Sequence, residues 1–192
     1  MPLLKSGRPS TRAARVSRRC SFVALRTAPS RPDARVKANL ANIYSNLGRD
    51  EEALALEQAI YTETLARQGN IHDETTLTLA LNLSASMLNV AASKLEESLF
   101  REAQSFMNDI LPIFRRVLGA EGDLTLKIRG LHAKALFEGA GSRADVCQAV
   151  TQLEELGRIA RRRYGASHPR TGLIQRTLDR AKVKLAQVDA GA

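Results

Sequence analysis

The 192-residue sequence predicts an all-α fold, a stack of antiparallel helical hairpins, and three observations carry that reading. Ala and Leu dominate a composition with 44 % hydrophobic and only 4 % aromatic residues and no Trp, which favours closely packed helices over a β-sandwich. Three junctions repeat along the chain: "GNIHDET" at 69–75, "GAEGDLT" at 119–125 and "GASHPRT" at 165–171. Each sets Thr six residues after Gly, and each is flanked by segments of helical apolar periodicity. At such a junction Gly closes one helix in the left-handed C′ conformation, Asp or Thr caps the next, and Pro is tolerated in the new first turn.

The elements follow in order. "SRPDARV" at 30–36 resembles a fourth junction and opens the first hairpin, helices at about 33–47 and 51–68, divided by Gly48 and Arg49 with Asp50 as cap. The second pairs about 75–91 with 94–118, where Ser93 and Glu96 form the S-x-x-E signature of a capping box. Pro112 should kink its second helix by removing a backbone bond. The third pairs about 124–138 with 143–164 across "GAGS", with Ser142 and Asp145 repeating the cap. A solitary helix at about 170–187 carries Leu173, Ile174, Leu178, Ala181 and Leu185 as one apolar stripe and reads as a terminal cap. The domain plan is a basic tail at 1–31, repeats at about 32–73, 74–122 and 123–168, a capping helix at about 169–187, and a short tail at 188–192.

The formal charge of +9 belongs to one end of the chain. Residues 1–37 hold ten Lys/Arg against one acid, whereas residues 38–192 hold nineteen of each. The Arg- and Ser-rich residues 1–31 have the composition of an organelle transit segment or of a solvated tail. The two cysteines, Cys20 and Cys147, give no disulfide framework or zinc spacing, so an intracellular, cytoplasmic setting is the expectation, with organelle targeting through the tail as the alternative. No apolar run approaches the roughly 18 residues of a membrane span, so none is expected.

Catalysis needs converging polar groups, and the sequence offers no HExxH, P-loop or GxSxG pattern. His72 and His168 fall in equivalent junctions as turn or capping residues, and His132 sits on a helix among apolar neighbours. The pairs Glu51–Glu52, Glu96–Glu97 and Glu154–Glu155 sit at helix starts or outer faces. No enzyme activity, cofactor or metal is expected. The cationic run "RIARRRYG" reads as charge at a helix C-terminus ahead of a phosphate-binding patch.

"NLANIYSNLGRDEEALAL" resembles the tetratricopeptide repeat (TPR), in the long-repeat form of kinesin light chains. Leu40, Ala41 and Tyr44 stand at the family's Leu, small-residue and Tyr positions, Gly48 at the turn, and Ala53 where the second helix crosses the first. The resemblance covers about 32–186; repeats two and three are degenerate and carry extra residues near "AASKLEE" and "EGAGS". It implies a right-handed superhelix, a TPR-like α-solenoid of about seven helices, acting as a protein–protein scaffold or adaptor. The first helices would line a concave face that binds an extended peptide. An amide side chain both donates and accepts, which suits a peptide backbone. The candidate residues are therefore Asn39, Asn42, Asn46, Asn82 and Asn89, with Arg35, Arg129 and Lys134 as cations for an acidic partner. Asn39 and Asn82 match in register, with Gly130 at the third place. The competing reading of the Asn set is local capping and solvation. The alternative function is an RNA-associated repeat protein using the basic tail and C-terminal basic helices, although nucleic acid is not the expected partner of a repeat region with zero net charge.

Overall fold

A computed structural model describes residues 34–191, so the basic tail and the proposed 30–33 part of the first junction lie outside the described residues. Seven α-helices follow one another among them, with no strand: α1 Ala34–Asn46, α2 Asp50–Gln68, α3 Glu74–Lys94, α4 Glu97–Leu118, α5 Asp123–Glu138, α6 Arg143–Tyr164 and α7 Pro169–Ala190. Each helix packs on the next, and the first helices also meet across hairpins, α3 on α5 and α5 on α7. That pairing, neighbour plus next-but-one, is the order of a one-dimensional stack of hairpins. The predicted all-α hairpin array is the observed fold.

A single buried register runs through the first helices. Thr76, Leu83 and Ser86 in α3 correspond to Thr125, His132 and Ala135 in α5 and to Thr171, Leu178 and Ala181 in α7, all 0–8 % exposed. Small residues fill the next place, Ala41, Ser84 and Ala133, as buried as Ala53, Ala103 and Ala149 of the second helices. This register moves the third repeat by one residue: His132, not Leu131, corresponds to Leu40 and Leu83, and Leu131, not Gly130, corresponds to Asn39 and Asn82. The core divides into a cluster spanning α2–α5, with Leu77, Met107, Ile110 and Phe114 fully buried, and a second over α5–α7 around Leu153 and Leu156. α3 is long and apolar enough to cross a membrane by length and composition, but 61 % of that stretch is buried inside the array. Its apolar content is explained by its central place.

The punctuation differs from the sequence reading in instructive ways. α3 continues to Lys94, so the "extra" residues lengthen helices; the turn to α4 is only Leu95 and Glu96. Ser93 Oγ donates to its own helix at Val90 O, and Glu96 caps without a side-chain bond, so the S-x-x-E box does not form. Arg49, with no cap bond, precedes α2, and Asp50 is its first residue. Asp73, Ser142 and His168 do cap α3, α6 and α7, each accepting a backbone N–H. α4 remains one helix through the exposed Pro112. α7 extends to Ala190, and Leu173 of its proposed stripe is 58 % exposed while Leu178 and Ala181 are buried.

Of the three junction glycines only Gly69 is left-handed helical, at φ 62, ψ 7. Gly119 and Gly165 sit at φ 80, ψ 158 and φ 92, ψ 164, a region open essentially to Gly alone. An added Cβ meets nothing within 4 Å at any of the three, so the cost of Gly→Ala is purely conformational. Gly165→Ala is expected to cost about 2–3 kcal/mol and Gly69→Ala only about 1 kcal/mol, read as denaturant midpoints at constant slope. Equal midpoint shifts in the two variants would contradict this assignment.

Candidate peptide-binding face

Extending the buried register by one residue along each first helix defines a solvent-facing lane at helical spacing. It reads Arg35, Asn39, Asn42, Asn46 on α1; Thr78, Asn82, Ala85, Asn89 on α3; Lys127, Leu131, Lys134, Glu138 on α5; and Leu173, Thr177, Arg180, Lys184 on α7. Every lane residue whose side chain is described is exposed or half-buried; the positions one residue on are buried throughout α3 and α5 and at Leu178 and Ala181 of α7, whereas those of α1 are open. Two contacts tie neighbouring first helices along the lane. Asn89 Nδ2 donates to Ser45 Oγ at 3.1 Å, tying α3 to α1. Arg180 reaches Glu138 Oε1 at 2.6 Å, tying α7 to α5, and Lys134 lies 3.7 Å from the other oxygen of the same carboxylate.

Most of the sequence candidates converge here. Asn39, Asn42 and Asn46 are exposed on α1, with Asn82 and Asn89 half-buried on α3. Asn89 is already committed to Ser45, which leaves Asn82 as the central amide of the lane. Arg35 lies in α1 by its backbone, but its side chain is outside the described residues.

Arg129 does not belong to the face. Its side chain is only 11 % exposed and pairs with Glu155 of α6 at 2.9 Å. In register it corresponds to Lys37, which pairs with Glu63 of α2 at 2.9 Å across the same sequence separation of 26. One cation at this place therefore clamps each of these hairpins from first helix to second. Spacing alone made Arg129 look free, because its partner comes from the other helix.

Sequence reasoning missed Lys127, Arg180 and Lys184. The signal was the register itself, which places Lys127 of α5 and Arg180 and Lys184 of α7 in the lane once Thr125 and Thr171 are matched to Thr76. The lane consequently has two characters: neutral amides on α1 and α3, and four cations against the single carboxylate of Glu138 on α5 and α7.

Other charged groups are absorbed by structure. Asp123, the first residue of α5, accepts from Tyr164 Oη at 2.5 Å and pairs with Arg170 at 2.5 Å and Arg163 at 3.5 Å. The Tyr164 hydroxyl and then Arg170 hold its carboxyl below the usual carboxylate range. Arg162 pairs with Glu121. Three residues of the cationic α6 terminus thus knit the α4–α5 junction to the last helices. Glu51, Glu52 and Glu154 pair with Lys94, Arg49 and Lys182. His132 is buried, with Gln152 Oε1 3.3 Å from its Nδ1, and burial pushes its pKa down, so it belongs to the core. No group of three or more His, Cys, Asp or Glu among the described residues could hold a metal ion.

No protein-family model matches the chain, and no curated protein matches it. Among solved structures it is similar to a crystal structure of nearly identical TPR-like repeats, described as a kinesin light chain of Podosopora anserina. The identity is 17 %, with 81 % of this chain and 88 % of that chain covered, at a TM-score of 0.43. The description of the fold as a TPR-like array of hairpins rests on this chain's own helix order and contacts.

Proposed function

We propose that the chain is a non-catalytic interaction scaffold that binds an extended peptide segment of another protein along the lane of its first helices. The observation that carries this reading is the lane itself: four helices present side chains at one repeated position, open to solvent, beside positions that are buried on α3 and α5. An extended chain offers donors and acceptors along its length, and amides at Asn39, Asn42, Asn46 and Asn82 answer both. The cations Lys127, Lys134, Arg180 and Lys184 favour a ligand whose acidic or carboxylate-bearing part lies toward α5 and α7. Partner identity then resides in the peptide's sequence, read by one side chain per helix turn.

The test is peptide-display selection on the full chain beside an Asn39→Ala, Asn82→Ala variant. Enrichment of a shared motif by the parent, and at least about tenfold weaker binding of it by the folded variant, is the expected outcome. Each lost buried amide bond to a peptide backbone is worth about 1 kcal/mol, which sets that factor. Retained affinity in the variant would remove the lane as the site.

A further inference from the structure

Four large apolar side chains of α1 are open to solvent: Val36 at 58 %, Leu40 at 38 %, Ile43 at 52 % and Leu47 at 65 %. Their spacing of four, three and four residues places them on one stripe of the helix. In register they correspond to Leu79, Leu83, Ser86 and Val90 of α3, which are 1–8 % exposed. The equivalent stripe is also closed in α5, at Ile128, His132 and Ala135, and in α7, at Leu178 and Ala181. α3, α5 and α7 each pack on a preceding second helix, α2, α4 and α6. No described helix precedes α1. Its open stripe is therefore a helix-receiving face, and apolar side chains ordered in that way mark a docking surface.

The register also indicates what covers it. Eleven residues before Thr76, Thr125 and Thr171 stand Leu65, Phe114 and Ala160, which are packed against or buried in the core. Asp33 holds the corresponding place ahead of α1, and eleven residues before it stands Phe22, followed by Val23, Ala24 and Leu25. This is the segment in which the basic N-terminal region concentrates its apolar side chains. Further upstream the match ends. Arg18 stands where Tyr61, Ile110 and Leu156 stand, and Arg15 stands where Met107 and Leu153 stand. The match is thus confined to the end of the second helix nearest the junction, which in an antiparallel hairpin lies against the start of the next helix.

We propose that Phe22–Leu25 of the same chain dock on the Val36–Leu40 end of the α1 stripe, so that the basic N-terminal region is anchored to the array. The anchoring would set where the cations at Arg12, Arg15, Arg18 and Arg19 lie relative to the first hairpin, next to the Asn end of the lane.

The experiment uses the full chain with Phe22→Ser, Leu40→Ser and the double substitution. The readout is amide exchange of α1, because a terminal helix opens locally when its apolar face loses its cover. Each single substitution is expected to speed α1 exchange by about tenfold, and the double substitution to add little more. Effects that simply multiply, or a Phe22→Ser variant indistinguishable from the parent, would overturn the proposal. A photo-reactive benzoylphenylalanine at position 40 gives an independent reading. Cross-links within one chain to residues 20–26 are expected; cross-links between chains, or to other segments, would overturn it in favour of a second copy or another occupant.

Discussion

Gly139→Ala is expected to lower the unfolding free energy by about 2–3 kcal/mol, an overpacking cost concentrated at one contact. Gly139 follows α5 at φ −91, ψ 15, a conformation any residue can adopt, so backbone strain plays no part. The constraint is space. A Cβ there would stand 2.3 Å from Phe100 Cβ and 3.0 Å from its Cγ, where α4 begins against the end of α5. Phe100 is itself 5 % exposed and part of the larger core cluster, so it has nowhere to withdraw. Phe100→Ala would remove the ring but keep the Cβ, so it should not rescue Gly139→Ala. The check is a denaturant midpoint at constant slope for the two single variants and the double. A Gly139→Ala midpoint within error of the parent would mean that α4 and α5 are not this close at the turn.

Glu57→Gln is expected to do the opposite and stabilise the chain above neutral pH. Glu57 is 2 % exposed on α2, and its Oε2 has no hydrogen-bond partner among the described residues. Burial pushes its carboxyl up to about 7 from 4.5. Between those two pH values the folded chain keeps a proton that the unfolded chain has released. Stability therefore falls as pH rises from about 4.5 to 7, and the loss is complete above that window. At roughly 1.4 kcal/mol per pH unit the ceiling is about 3 kcal/mol, and water reaching the carboxylate brings the expected effect to about 1–3 kcal/mol. Gln keeps the shape without the ionisation, so the variant should lack the Glu57 contribution to this pH dependence. His132 supplies a limb of opposite sign. Burial lowers its pKa, the Gln152 bond opposes this, and the Arg115 charge adds to it. The unfolded chain then protonates first, and stability falls as pH drops below about 6.5 in parent and variant alike. Unfolding midpoints measured from pH 4.5 to 8.5 separate the two groups, because the His132 limb cancels in the difference between parent and variant; a parent that gains stability relative to Glu57→Gln between pH 5 and 7.5 would contradict the Glu57 account.

The architecture was legible because its signals are local and repeated. Gly69, Gly119 and Gly165 fall at the ends of helices, and Asp73, Ser142 and His168 sit where a chain must satisfy free N–H groups. Details that depend on neighbours were not. Ser93–Glu96 has the pattern of a capping box, but packing of Val90 and Ala91 in the core carries α3 past it to Lys94. The turn then places Leu95 at φ 53, a conformation costly for any residue with a Cβ. The one-residue shift in the third repeat has the same origin. Leu131 looks more like the family's Leu than His132 does, yet burial follows Thr125 and Ala133, and the histidine goes inside with Gln152 as partner.

The candidate face was half legible. Asn at helical spacing identified α1 and α3 directly. On α5 and α7 the lane is cationic, and cations are common on any helix surface, so only the buried register separates Lys127, Lys134, Arg180 and Lys184 from the structural clamps Lys37 and Arg129. That separation is the central claim: one repeated position on four helices faces solvent together and recognises one extended ligand.

Carbene footprinting of the full chain with and without a display-selected peptide tests it most directly, because it reads side-chain exposure helix by helix. The account predicts reduced labelling along α1, α3, α5 and α7, centred on Asn82, Lys134 and Arg180, with α2, α4 and α6 unchanged. Reduced labelling confined to the second helices, or to one end of the array without Asn82, would contradict it.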